Sequence, residues 1–217
     1  MKREVPANQG NFRRTAGRQI MYLGLASLLG FGSLMWFLAS LSGDVSSTAL
    51  DEVAGSVSLA LSEEPPQLDS SRATDTVSGE ILGHVMEGLL RYDEFNRIVP
   101  GVAERWEIGT TTATFWLRND ALWSDGTQVT AHDFVFAWKT ALDPQTASEY
   151  AFILYPIKNA EAINNGQLDT ATLGATALND NTLLVHLERP VAYFDSLLVF
   201  PTYFPICLLY TSDAADE

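Results

Sequence analysis

The stretch from Phe115 to Pro144, F-W-L-R-N-D-A-L-W-S-D-G-T-Q-V-T-A-H-D-F-V-F-A-W-K-T-A-L-D-P, constrains the fold most, because its hydrophobic period changes partway along. Leading into it, Thr112, Thr114 and Trp116 alternate with Ala113, Phe115 and Leu117, the two-residue period of a strand buried on one face. At Ser124-Asp125-Gly126 the chain turns, since Asp bonds its own backbone and Gly accepts a positive φ. Beyond the turn, Phe134, Trp138 and Leu142, joined by Val135, fall on one face of a helix. Thr130 stands three residues before Asp133, the spacing of a capping box with Asp in place of Glu, and Asp143-Pro144 ends the helix.

The flanking sequence repeats this alternation in shorter pieces. Val57, Leu59 and Leu61 alternate with serine and alanine up to Glu63-Glu64-Pro65-Pro66, which predicts a strand. A helix is expected from about Val77 to Leu90, with Asp75 or Thr76 as N-cap. Short strands flank a turn at Asp93 to Asn96, a short helix runs from Asn159 to Asn164, and Leu183, Val185 and Leu187 mark another strand. A last helix is expected from Val191 to Phe200. Strands and helices in alternation, without an internal repeat, give an α/β fold class.

Charge is divided unevenly. Residues 1–43 carry Lys2, Arg3, Arg13, Arg14 and Arg18 against Glu4 alone, although the chain as a whole has a formal charge of −14. The acidic body repels phosphate backbones, which excludes nucleic acid as a partner. The basic start is followed by Ile20 to Leu41, which has no charged residue. This pattern reads as an export signal, and its length also suits a hydrophobic helix that spans a bilayer. Residues 1–43 are therefore a signal peptide or a signal anchor, and small residues at Ser40 and Ser42 suit a signal peptidase. Residues 44–55, polar and without a period, read as a tether. His84, His132 and His186 have no ligand spacing and Cys207 is the single cysteine, so no metal or cofactor is expected. Acid pairs that are sequence neighbours do not form opposed catalytic carboxylates, and no enzyme motif is present. Trp106, Trp116, Trp123 and Trp138 lie on apolar faces, which favours core positions over stacking platforms.

The run W-S-D-G-T-x-V-T-A-x-D-F-V-F-A-W, Trp123 to Trp138, resembles the signature region of the periplasmic oligopeptide-binding proteins of ABC importers, extracellular solute-binding protein family 5. Ile98 to Trp106, Leu142 to Tyr150, Ile157 to Gly166 and Thr182 to Phe194 resemble the same family in the same order, so the likeness covers Ser56 to Ile206. It implies a periplasmic-binding-protein-like lobe of type II, cluster C, truncated: residues 56–86 begin lobe I, and residues 87–206 form a smaller family-specific α/β domain. The last stretch, Cys207 to Glu217, resembles the translation of a transposase adapter and reads as a non-native tail.

The resemblance also implies a function, namely peptide capture in the periplasm and delivery to the permease of an ABC importer by a monomer that does no chemistry. The family loop that touches the peptide backbone falls on Thr74, Asp75 and Thr76, and a ligand-facing tyrosine falls on Tyr150. Helix capping accounts equally well for Thr74 to Thr76, and a half-buried domain edge is the alternative for Tyr150. Within the same fold the ligand alternatives are murein peptide, dipeptide, a nickel complex, haem or an oligosaccharide. A membrane-anchored sensor or periplasmic chaperone is the alternative of a different class.

Overall fold

The computed structural model describes residues 21–22, 24–37, 48–51 and 55–208. They fall into two compact units divided between Leu61 and Ser62. In the first, residues 24–37 form an exposed helix, α1. Among the described residues no helix is long and apolar enough to cross a membrane. Strand β1 (Thr48–Asp51) pairs antiparallel with β2 (Ser56–Leu59), Thr48 opposite Leu59 and Asp51 opposite Ser56. The stretch read as a tether therefore contains a strand. Four residues are too few to show a period, and it is the partner strand that gives them their form. The rest of residues 1–47 read as signal and tether, and 209–217 of the adapter-like tail, lie outside the described residues.

The second unit begins with helix α2 (Thr76–Val85), capped by Asp75. It stops five residues short of the expected Leu90. Met86 turns extended, and the next residues are drawn into a hairpin of β3 (Leu90–Tyr92) and β4 (Ile98–Pro100). Val102 N–H donates to Gly88 O at 2.9 Å and Ala103 N–H to Leu89 O at 3.0 Å. Gly101 permits this close crossing, since a Cβ there would stand 2.5 Å from the Gly88 carbonyl oxygen. At the hairpin tip, Asp93 accepts from the N–H groups of Phe95 and Arg97, both at 2.9 Å.

Four strands make the main sheet in the order β5 (Ala103–Ile108), β6 (Thr112–Leu117), β8 (Thr182–His186), β7 (Ala175–Asn179), every pair antiparallel. The class is mixed α/β, with ladders that need no parallel crossover. Ala113, Phe115 and Leu117 of β6 and Leu183 and Val185 of β8 enter the core. Trp116, between Phe115 and Leu117, must take the other face. There it carries Arg105, whose guanidinium lies 3.4 Å from the ring centroid. The core position expected for Trp116 is thus corrected by the strand's own alternation, while Trp106 and Trp123 pack partly buried against the core.

Helix α3 (Ala131–Leu142) starts where the sequence places it, with the Asp133 carboxylate accepting from Thr130 N–H at 2.8 Å and from the Thr130 hydroxyl at 2.9 Å. It packs on β7 and buries Phe134 and Trp138 completely. Trp138 Nε1–H donates to Tyr203 O at 3.0 Å, and the two rings meet edge-on at 5.4 Å. Burial of such a ring is worth roughly 1.5–3 kcal/mol, so this cluster ties the helix to the core around Tyr203. Helix α4 (Ala160–Asn164) ends before Gly166, which has φ +70°. The expected helix at Val191 to Phe200 is reduced to α5 (Phe194–Leu197), followed by a 3-10 turn, Pro201–Tyr203. Phe194, Leu198 and Tyr203 go fully into the core, and that packing bends the segment out of one continuous helix.

Candidate functional site

The site is assembled from three segments far apart in sequence. The first is the corner at Asp69, which replaces a regular element with local bonds. Its Oδ1 accepts from Ser71 N–H at 2.9 Å and from the Ser71 hydroxyl at 2.7 Å, and its carbonyl accepts from Ala73 N–H at 2.8 Å. The chain then runs extended into the α2 cap, where Ser78 N–H donates to Asp75 Oδ1 at 2.8 Å. That bond stabilises the ionised carboxylate and holds Asp75 below the usual carboxylate range. The N–H groups of Thr74 and Thr76 make no hydrogen bond among the described residues.

The second segment follows α3. Asp143 caps a 3-10 turn, Pro144–Thr146, and Ala147 takes a left-handed conformation (φ 52°) that redirects the chain. Tyr150 then caps another 3-10 turn, Ala151–Leu154. Two side chains from here reach the first segment. The Ser148 hydroxyl donates to Ser71 O, and the Tyr150 hydroxyl donates to Thr74 O at 3.2 Å. The Tyr150 ring is steadied by Phe152, edge-on at 5.8 Å.

The third segment is Phe200-Pro201-Thr202. It completes a hollow of about 190 Å³ lined by Thr74, Asp75, Thr76, Tyr150, Phe200 and Thr202. The structure thus brings together all four residues singled out from the sequence and adds Phe200 and Thr202, which sequence reasoning missed. The one local signal for them was Pro201, a residue suited to open a short helical turn; nothing in the sequence places that turn beside Thr74. The three histidines do not converge. Among the described residues no group of three or more His, Cys, Asp and Glu side chains is placed to hold a metal ion.

Sequence comparison places the chain among bacterial solute-binding proteins. Residues 97–216, more than half of the chain, match the description "Bacterial extracellular solute-binding proteins, family 5 Middle". The chain belongs to this family. The matched range contains Tyr150, leaves out Thr74 to Thr76, and extends into the adapter-like stretch. Over 147 residues the chain is 42% identical to a protein of Escherichia coli strain K12 named as a probable deoxycholate-binding periplasmic protein, covering 66% of this chain and 28% of the relative. Over 145 residues it is 43% identical to an oligopeptide-binding protein of Bacillus subtilis strain 168, covering 66% and 27%. Among solved structures it is similar to the substrate-binding domain of an oligopeptide ABC transporter from Bacillus anthracis. That likeness has a TM-score of 0.69 and 48% identity, and covers 71% of this chain and 30% of the other. The chain therefore spans under a third of the length of these relatives.

Proposed function

We propose that this chain is part of an exported solute-binding protein that captures oligopeptides in the periplasm and hands them to the permease of an ABC importer. The observation that carries this reading is the hollow shared by Thr74, Asp75, Thr76 and Tyr150, with the N–H groups of Thr74 and Thr76 unengaged. An extended peptide pairs its main chain with such groups and needs little from its side chains. Binding and release are the whole activity, and no covalent step is involved. In this reading residues 1–43 direct export, by a cleaved signal or a retained anchor. Residues 56–86 open lobe I, residues 87–206 form a smaller domain, and residues 207–217 are non-native.

One wall of a clamshell covers only part of an extended ligand, so the 217-residue chain alone binds weakly. Calorimetric titration with mixed tri- to pentapeptides tests this. The full-length product of the native locus is expected to saturate in the micromolar range, and the 217-residue chain is not. Absence of heat from the full-length protein with every peptide overturns the reading.

A further inference from the structure

The end of helix α2 is poorly covered. A hollow of about 350 Å³ takes apolar surface from Leu68, Met86, Trp123, Phe136 and Ile206. A second, of about 500 Å³, lies against Val85, Met86, Leu122, Trp123 and Pro205. Leu68, Val85 and Leu122 are all more than half exposed. Trp123 and Met86 border both hollows, and Trp123 Nε1–H is buried without a hydrogen-bond partner among the described residues. Buried donors without acceptors are rare, and each calls for an explanation. Here the orphan belongs to a ring that borders two open hollows, so the packing around it is incomplete.

Apolar faces of this kind mark surfaces that something covers. The path of the chain points to what covers this one. Pro205 and Ile206 help to line the hollows, and Leu208 N–H is held by Asp133 Oδ1 at 3.0 Å, at the start of α3. The chain thus runs out along the edge of the face, and the relatives are more than three times as long as the part of them that it matches. A segment tethered at the edge of a face meets it at an effective concentration far above that of a free partner. We propose that this face is an internal interface of the full-length protein, covered by the native chain that continues beyond Ile206, which lays apolar side chains over Leu68, Val85 and Leu122. The cover forms whatever solute is captured, since neither hollow shares a lining residue with the one at Thr74 to Thr76 and Tyr150.

The test compares the full-length product of the native locus with the 217-residue chain, each carrying Val85→Cys or Leu122→Cys. Maleimide labelling is followed over time and located by peptide mass spectrometry. Both thiols are expected to react at least about tenfold more slowly in the full-length protein, because a covered thiol reacts only when its surroundings open. Amide hydrogen exchange of the two unsubstituted proteins makes the same comparison should a variant not fold. Residues 81–86 and 120–125 are then expected to exchange at least about tenfold more slowly in the full-length protein. A smaller difference at either position overturns the interface. So does protection that appears in the 217-residue chain and grows with its concentration, which assigns the face to a second copy of the chain.

Discussion

Helices α2 and α3 begin alike and end as opposites. Each has an aspartate at its start, Asp75 as the cap of one and Asp133 in the first turn of the other. Yet α3 buries seven of its twelve residues, Trp138 among them, whereas α2 buries only Val77, Ser78 and Leu82 of ten. Its Val85 is 70% exposed. The difference separates two duties. Helix α3 is held along its length by the core, so its position follows from packing. Helix α2 is held mainly at its start, where the cap and the ties from Ser148 and Tyr150 fix the loop that faces the hollow.

Four substitutions break or sharpen this contrast. Trp138→Ala, in the better-packed helix, is expected to have the largest effect, a loss of about 3–5 kcal/mol read from denaturant unfolding of the whole chain. A loss below about 1 kcal/mol would mean that α3 is not held as described.

Next come the two aspartates. The Asp133 carboxylate is buried and accepts from Thr130 N–H, from the Thr130 hydroxyl and from Leu208 N–H at 3.0 Å. Asp133→Ala is expected to cost about 1–3 kcal/mol. Asp75→Ala, at an open helix start, is expected to cost less. Because Ser78 N–H holds the Asp75 carboxyl below its ordinary value, its contribution is complete above the unfolded value of about 3.9. The contribution disappears as pH falls through the lower folded value. The difference in melting temperature between wild type and Asp75→Ala should therefore shrink on going from about pH 5 to about pH 2. A difference that stays constant over this range refutes the capping account.

The smallest effect is expected at Val85→Ala, within about 0.5 kcal/mol of wild type by the same unfolding measurement. A loss of about 2 kcal/mol or more there would show that α2 is packed along its length like α3, and would remove the contrast.

Sequence periodicity was informative where one face of an element meets a large core. The strand Thr112–Leu117 and the helix from Ala131 were legible to the residue, because Phe115, Phe134 and Trp138 repeat at the spacing that their burial requires. Strand β7 was not anticipated. It contributes Ala175 and Ala177, side chains too small to stand out as a hydrophobic period, and its form comes from the ladder with β8. The helices expected at Val77 to Leu90 and Val191 to Phe200 came out shorter for a related reason. Their apolar residues are claimed by a hairpin in one case and by the Tyr203 cluster in the other, and tertiary packing overrides local preference. At the site, Thr74 to Thr76 and Tyr150 were singled out through the family resemblance. Phe200 and Thr202 join them only because the chain returns there after a long excursion, and no local pattern encodes that return.

The ties from Ser148 and Tyr150 give the loop at residues 71–76 a polarity. Its carbonyls at Ser71 and Thr74 already have donors, while the amides of Thr74 and Thr76 make no hydrogen bond among the described residues. In the proposed reading, whatever lies along this wall is greeted by donors and must answer with oxygen. A ligand whose own amides are methylated would forfeit no hydrogen bond here, so a backbone change that defeats many peptide receptors leaves this edge indifferent.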